Sequence, residues 1–180
     1  MKYLNDVNYK DCVGKVYQSK LLGDFKVLKY NGNKDVEIQF LKTGFETKVQ
    51  LVQVKSGGVK DPYSPSVCSV GIVGTKYPST INDVKTKEYE LWRGMLTRCY
   101  SDTYQKRQPT YEGCEVSENF KCYEYFYEWC NKQIGFCGDE NGNPFQLDKD
   151  LLVKGNKVYS ESTCVFIPRE INQVLTKGTA

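Results

Sequence analysis

The hydrophobic positions change period along the chain. Between Asp35 and Leu41 they alternate, with Val36, Ile38 and Phe40 on one side and Asp35, Glu37 and Gln39 on the other. Period two predicts a half-buried strand. Phe25 to Tyr30 predicts a second strand, and Asn31-Gly32-Asn33 between the two predicts a tight hairpin turn, because Asn and Gly tolerate positive φ. Thr43-Gly44 predicts another turn, leading into a strand over Phe45 to Val54 in which Phe45, Val49 and Leu51 share a face. An earlier strand is expected near Val13 to Gln18. Short strands in this succession predict a small twisted antiparallel sheet or barrel.

The pattern then breaks. Ser56-Gly57-Gly58, Asp61-Pro62, Ser64-Pro65, Gly71, Gly74 and Pro78 punctuate the next stretch, which reads as a connecting segment and places a domain boundary. From residue 86 to 104 the period becomes helical: Tyr89, Trp92, Met95, Leu96 and Cys99 form one stripe, with Glu90, Arg93 and Arg98 off it. A second helix is expected to start at Ser117, a good N-cap, and to run to about Lys132. Phe120, Tyr123, Tyr127 and Cys130 would share its inner face, with Phe126 and Trp129 beside them. Both aromatic stripes read as packing core; base-stacking platforms use exposed rings. Beyond the turn Asn141-Gly142-Asn143-Pro144, the order is a short strand (Phe145 to Asp148), a turn at Lys154-Gly155-Asn156 and a strand (Thr163 to Ile167). Pro168 then favours the first turn of a helix whose apolar face is Ile171, Val174 and Leu175.

Composition narrows the chemistry. Hydrophobic residues make up 39% of the 180 and charged residues 26%, which excludes a disordered chain. No apolar run is long enough to span a bilayer, so no membrane partner is expected. The opening MKYLNDVNYK turns polar at once and does not read as a signal peptide. The absence of His removes imidazole as general base, proton shuttle and metal ligand. The eight Cys include a run at 114, 122, 130 and 137 whose gaps are too wide for a zinc knuckle. They read as free buried thiols of a reducing cytosol.

The charge, +3 overall, is uneven. Residues 1–60 carry 11 Lys against 6 acidic residues, and residues 61–180 carry 14 basic against 16 acidic. Lys10, Lys15, Lys20, Lys26, Lys29, Lys34, Lys42, Lys48, Lys55 and Lys60 offer either a phosphate-facing surface or the ordinary solubilising lysines of edge strands. Arg93, Arg98 and Arg107 gather around the first helix and Arg169 opens the last; Arg suits bidentate contact with phosphate or guanine. Asp148 and Asp150, one residue apart, would share a face of a strand and could hold Mg²⁺ together with Asn156 or Asn172.

A resemblance rests on particular residues. The run Leu147-Asp148-Lys149-Asp150, then Gly155-Asn156, Tyr159-Ser160, Cys164 and Ile167 through Asn172, is similar to the C-terminal part of a group of uncharacterised tailed-phage and prophage proteins. The upstream Tyr89-Glu90-Leu91-Trp92-Arg93-Gly94-Met95-Leu96-Thr97-Arg98-Cys99-Tyr100, with Tyr111-Glu112-Gly113-Cys114 and the Phe120 to Trp129 aromatics, fits the same group, so that the likeness covers roughly residues 60–176. That C-terminal segment in turn resembles the HNH endonuclease finger, a ββα-metal unit. In such a finger an Asp precedes a general-base His on the first strand, an Asn lies in the loop, and a His or Asn on the helix helps hold the metal. Here Asp148 matches the acidic position, Asn156 or Thr163 lies in the loop region and Asn172 falls on the helix. Lys149 stands where the His would be, and a Lys at its ordinary pKa of about 10.4 is protonated at neutral pH.

The pattern along the chain, with the resemblance over its C-terminal part, predicts an α+β protein in three stretches. Residues 1–58 would form a small antiparallel, barrel-like β domain, 59–85 a connecting segment, and 86–180 a helical region ending in a ββα finger. The resemblance implies a phage-encoded nucleic-acid-binding protein in the cytoplasm of a bacterial host, related to HNH endonucleases but lacking their activity. Nucleic acid would meet Arg93, Arg98, Arg169 and Lys149. Two alternatives stay open: a module that binds a host or phage protein, and an active Mg²⁺-dependent endonuclease. The last would use Asp148, Lys149 and Asn172 for catalysis and Asp148 and Asp150 for the metal.

Overall fold

The computed structural model describes residues 9–177, which fall into two compact units divided between Ser64 and Pro65. The side chain of Lys10 and the apolar position Leu175 lie outside what is described. The fold class is α+β.

The first unit is an antiparallel meander. Its strands are β1 (Val16–Tyr17), β2 (Phe25–Gly32), β3 (Asp35–Phe40) and β4 (Glu46–Val49), hydrogen-bonded in that order. No pairing closes β4 onto β1 among the described residues, so the sheet is open. The alternation in β3 works as the sequence predicts: Val36, Ile38 and Phe40 are fully buried, against Phe25 and Val27 of β2. The tight turn sits later than Asn31-Gly32. Gly32 pairs with Asp35, leaving Asn33 and Lys34 as the turn, and the register slips between Tyr30 and Gly32.

The strand expected over Phe45 to Val54 is shorter. It stops at Val49, and Leu51–Ser56 forms a helix, α1. Gln50 caps it: the Gln53 side chain accepts the Gln50 backbone N–H at 2.9 Å, and Gly57 closes the last turn in the left-handed conformation that glycine adopts without strain. Leu51 and Val54, three apart, are both buried; a strand would send them to opposite faces.

In the second unit a tight hairpin, β5 (Thr80–Ile81) and β6 (Val84–Lys85), precedes α2 (Lys87–Tyr100), capped by Thr86 Oγ1 accepting from Tyr89 N. The helix expected to reach residue 104 breaks at Ser101. That residue is extended and its side chain caps α3 (Asp102–Arg107), as Ser does when its hydroxyl competes for backbone N–H groups. Next come β7 (Glu115–Val116) and α4 (Tyr123–Cys130). Ser117 is not the start of α4: its Oγ accepts from Phe120 N in a 3₁₀ turn, Asn119–Lys121, and Cys122 precedes the α-helix.

The aromatic stripes pack on each other. Trp92, Met95 and Leu96 of α2 and Tyr123 and Phe126 of α4 are fully buried, and Trp92 Nε1 donates to the Phe120 carbonyl at 2.7 Å. Val67, Val70, Val73 and Tyr77, from the stretch expected as a connector, pack against this core. Gly71 has a reason to be glycine, since a Cβ there would lie 2.5 Å from Leu96 Cδ1 and 2.9 Å from the Trp92 ring.

The chain ends in β8 (Gln146–Asp148), β9 (Val158–Tyr159), β10 (Val165–Ile167) and α5 (Arg169–Lys177). β8 and β10 pair antiparallel, with Asp148 opposite Val165, and α5 packs on β8. β9 leaves this pair and runs parallel to β7. Among the described residues no helix is long and apolar enough to cross a membrane.

Candidate functional site

The strand order of the second unit opens a cleft of about 330 Å³ at the C-terminal end of β8. Leu91 and Arg98 of α2, Tyr111, the run Phe145 to Asp150, Tyr159 of β9 and Asn172 of α5 line it. Arg98, Asp148, Lys149, Asp150 and Asn172 are thus brought together from positions up to 74 apart in the chain. Arg93 and Arg169 are exposed and outside the lining, and Arg93 pairs with Glu90 at 3.2 Å. Arg93 and Arg98 lie five residues apart, about 140° around the helix, so one faces solvent while the other reaches the cleft.

β8 stops at Asp148, so Asp148 and Asp150 do not share a strand face. Instead the Asp148 carboxylate folds over the following turn, Oδ1 accepting from Asp150 N at 2.8 Å and Leu151 N at 2.7 Å. Lys149 is buried, and its Nζ donates to both Asp150 oxygens at 2.7 Å and to the Asn156 carbonyl at 2.6 Å. Three acceptors match the three donors of an ammonium. Asn156 closes the loop from the other side: its Nδ2 donates to the carbonyls of Lys149 and Val158, and its Oδ1 accepts from Val158 N. Asn156 is therefore a loop clamp. Thr163 holds the next turn through Ser160 and the Val158 carbonyl.

Arg98 is held by rings. Its guanidinium lies 5.8 Å from the Tyr111 centroid and 5.5 Å from that of Tyr159, and Lys149 Nζ is 5.7 Å from Tyr159 on its own account. Arg98 Nε is buried without a hydrogen-bond partner among the described residues. Burial drives the hydroxyl of Tyr159 well above its ordinary pKa, against the opposing pull of Arg98, and does the same to Tyr111. Neither phenol can act as a base at neutral pH. Burial likewise pushes the thiols of Cys99 and Cys164 up to about 12, and the seven cysteines from Cys68 onward are free thiols.

The spacing suggests a Mg²⁺ site at the two carboxylates, and here each already has a partner. Both oxygens of Asp150 face Lys149, and Asp148 Oδ1 is committed to backbone N–H groups. Among the described residues no three Cys, Asp or Glu side chains are placed to hold a metal. Asn172 Nδ2 donates to Gln146 Oε1 at 2.8 Å, tying α5 to β8.

The lysines of the first unit do not make an unbroken basic face. On the sheet surface Lys26 is followed by Gln39 and then Glu46, and Lys29 by Glu37 and then Lys48. Lys48 also reaches Asp35 at 3.3 Å. Comparisons with protein-family models, with curated proteins and with solved structures return no match.

Proposed function

We propose that the chain is a nucleic-acid-binding protein whose C-terminal finger is related to that of HNH endonucleases but does not hydrolyse its target. The observation that carries this reading is the antiparallel β8–β10 pair followed by α5, with Lys149 at the end of β8 turned inward and saturated by Asp150 and Asn156. A side chain whose donors are all engaged by Asp150 and Asn156 is not placed to take a proton from water. What remains is a cleft with Arg98 at its wall and, elsewhere on the same unit, the exposed Arg93, Arg107 and Arg169, the residue type best suited to phosphate. A phage origin and a bacterial cytoplasm belong to the same reading and rest on the sequence resemblance.

A labelled duplex titrated with the protein at low salt tests the binding. A retarded or polarised complex that dissolves as salt rises supports it, and no complex at micromolar protein overturns it. Supercoiled plasmid incubated with Mg²⁺ or Mn²⁺ tests the second half, and nicking abolished by Asp148→Ala would overturn it. One observation favours the protein-binding alternative: Leu151, Leu152 and Val153 of the finger loop and Ile171 and Val174 of α5 are exposed apolar side chains.

A further inference from the structure

We infer that the cleft accepts an unstacked nucleobase of the bound strand rather than a phosphate. This rests on the nucleic-acid reading above and adds what the cleft itself recognises. Its charges cancel: Arg98 and Lys149 stand against Asp148 and Asp150, and the ammonium is already consumed by Asp150. An anion entering would meet the Asp148 carboxylate with only Arg98 to offset it. An uncharged ligand pays no such penalty.

The walls suit a planar heterocycle. Leu91, Phe145 and Tyr111 supply apolar and aromatic surface, while Gln146, whose Oε1 accepts from Asn172, adds a polar side-chain amide. Arg98 is clamped between two tyrosine rings, so its orientation is fixed before any ligand arrives. A guanidinium in the cleft wall carries N–H donors suited to a ring nitrogen or carbonyl of a base. The volume, about 330 Å³, lies at the lower end of small-ligand pockets and admits one heterocycle, not a duplex. Pockets that read an extruded base combine the same elements, stacking surface and directed hydrogen bonds.

The test uses the full chain and oligonucleotides carrying 2-aminopurine, whose fluorescence is quenched in a stack. Saturation is followed separately by anisotropy of a terminal dye. With single-stranded or mismatched DNA, saturating protein should raise 2-aminopurine emission several-fold. Arg98→Met and Phe145→Ala, each confirmed folded by its thermal transition and each brought to saturation, should reduce that rise. Saturated anisotropy with no change in emission overturns the inference and leaves the binding reading intact. No anisotropy change overturns the binding reading itself. A third arm titrates free adenosine and cytidine, watched through NMR shifts of the tyrosine rings. Shifts with free nucleoside but no brightening in DNA overturn the strand-borne base and point to a free nucleoside ligand.

Discussion

Lys149 Nζ sits 2.7 Å from each carboxylate oxygen of Asp150, its own neighbour in the chain. Two adjacent residues can meet in this way only because β8 ends and the backbone turns between them. The Lys149 side chain is 8% exposed and that of Asp150 45%, so the pair is buried at one end and wet at the other. Water at the Asp150 end screens the attraction, and the ammonium end carries the cost of being left unpaired.

Asp150→Ala should therefore be the more damaging half of the pair. It strands a buried ammonium with one carbonyl acceptor, whereas Lys149→Met leaves a carboxylate that water can reach. We expect a loss of ~1–3 kcal/mol for Asp150→Ala, below the range for fully buried pairs because of the exposed partner, and a smaller loss for Lys149→Met. Urea midpoints at constant m-value measure both. Equal losses, or a larger one for Lys149→Met, would show that the stem of Lys149 matters more than its charge.

Glu124 fills a backbone nest in the second unit. Its Oε1 accepts from Thr75 N and Lys76 N at 2.7 Å each, and a Cβ on Gly74, which has φ +74°, would collide with that carboxylate. Glu124→Ala should cost ~1–3 kcal/mol by leaving two donors without their charged acceptor. Gly74→Ala should also destabilise, by collision and by backbone strain. The double variant should lose less than the sum, because removing Glu124 relieves the collision. Strict additivity in a four-member urea series would contradict this geometry.

The fold was legible wherever one period ruled a segment. β3 alternates without interruption, and the stripe from Tyr89 to Cys99 leaves no second reading. Phe45 to Val54 defeats the same method because Val49 and Leu51 satisfy period two while Leu51 and Val54 satisfy period three. Only the capping by Gln50 and Gly57 decides between them. Ser101 and Ser117 fail differently: each caps an element, but not the one its position suggested. In the site, Asp148 and Lys149 stand out as a motif. Their setting does not, because Arg98, Tyr111 and Tyr159 lie on separate elements with no common spacing. The parallel pairing of β9 with β7, which brings Tyr159 to Arg98, leaves no mark in local sequence.

The thiols divide by exposure. Cys137 is exposed, Cys68 and Cys122 are half-buried, and the other five are buried. Thiolate is the reactive form, and burial holds Cys99 and Cys164 near 12. Native protein at pH 8 should therefore show one fast thiol with an aromatic disulfide reagent, and denatured protein all eight. Peptide mapping after a short pulse should find the label on Cys137. Early label on Cys99 or Cys164 would mean that the core opens readily.

Glu161 ties Ser117 and Asn119 to the loop after β9 by hydrogen bonds of 3.1 and 2.6 Å. Burial pushes its carboxyl up, but its own backbone N–H, Asn119, Ser117 and Tyr125 together outweigh that and hold it below the ordinary value of 4.5. A depressed carboxylate contributes stability above its unfolded pKa and loses it as pH falls through the folded one. The urea midpoint should thus drop as pH goes below about 4.5. Glu161→Gln should be less stable at pH 7 and show a shallower acid slope. A slope unchanged in that variant would assign acid sensitivity to other carboxylates.

Salt dependence separates the roles of the arginines. Each phosphate neutralised on duplex DNA contributes about 0.9 to the fall of log affinity with log salt. Arg93, Arg107 and Arg169 are exposed and can meet phosphate, while Arg98 is recessed in a charge-balanced cleft. Three contacts predict a slope near about −2.7. Arg169→Ala and Arg107→Ala should each make it shallower by about 0.9, with similar effect on all sequences. Arg93→Ala should do so only if binding breaks its pair with Glu90, and Glu90→Ala should then strengthen binding. Arg98→Met should weaken binding while leaving the slope unchanged, because a base contact releases no counterion. A slope that becomes shallower in Arg98→Met would put this guanidinium on a phosphate and remove the base from the cleft.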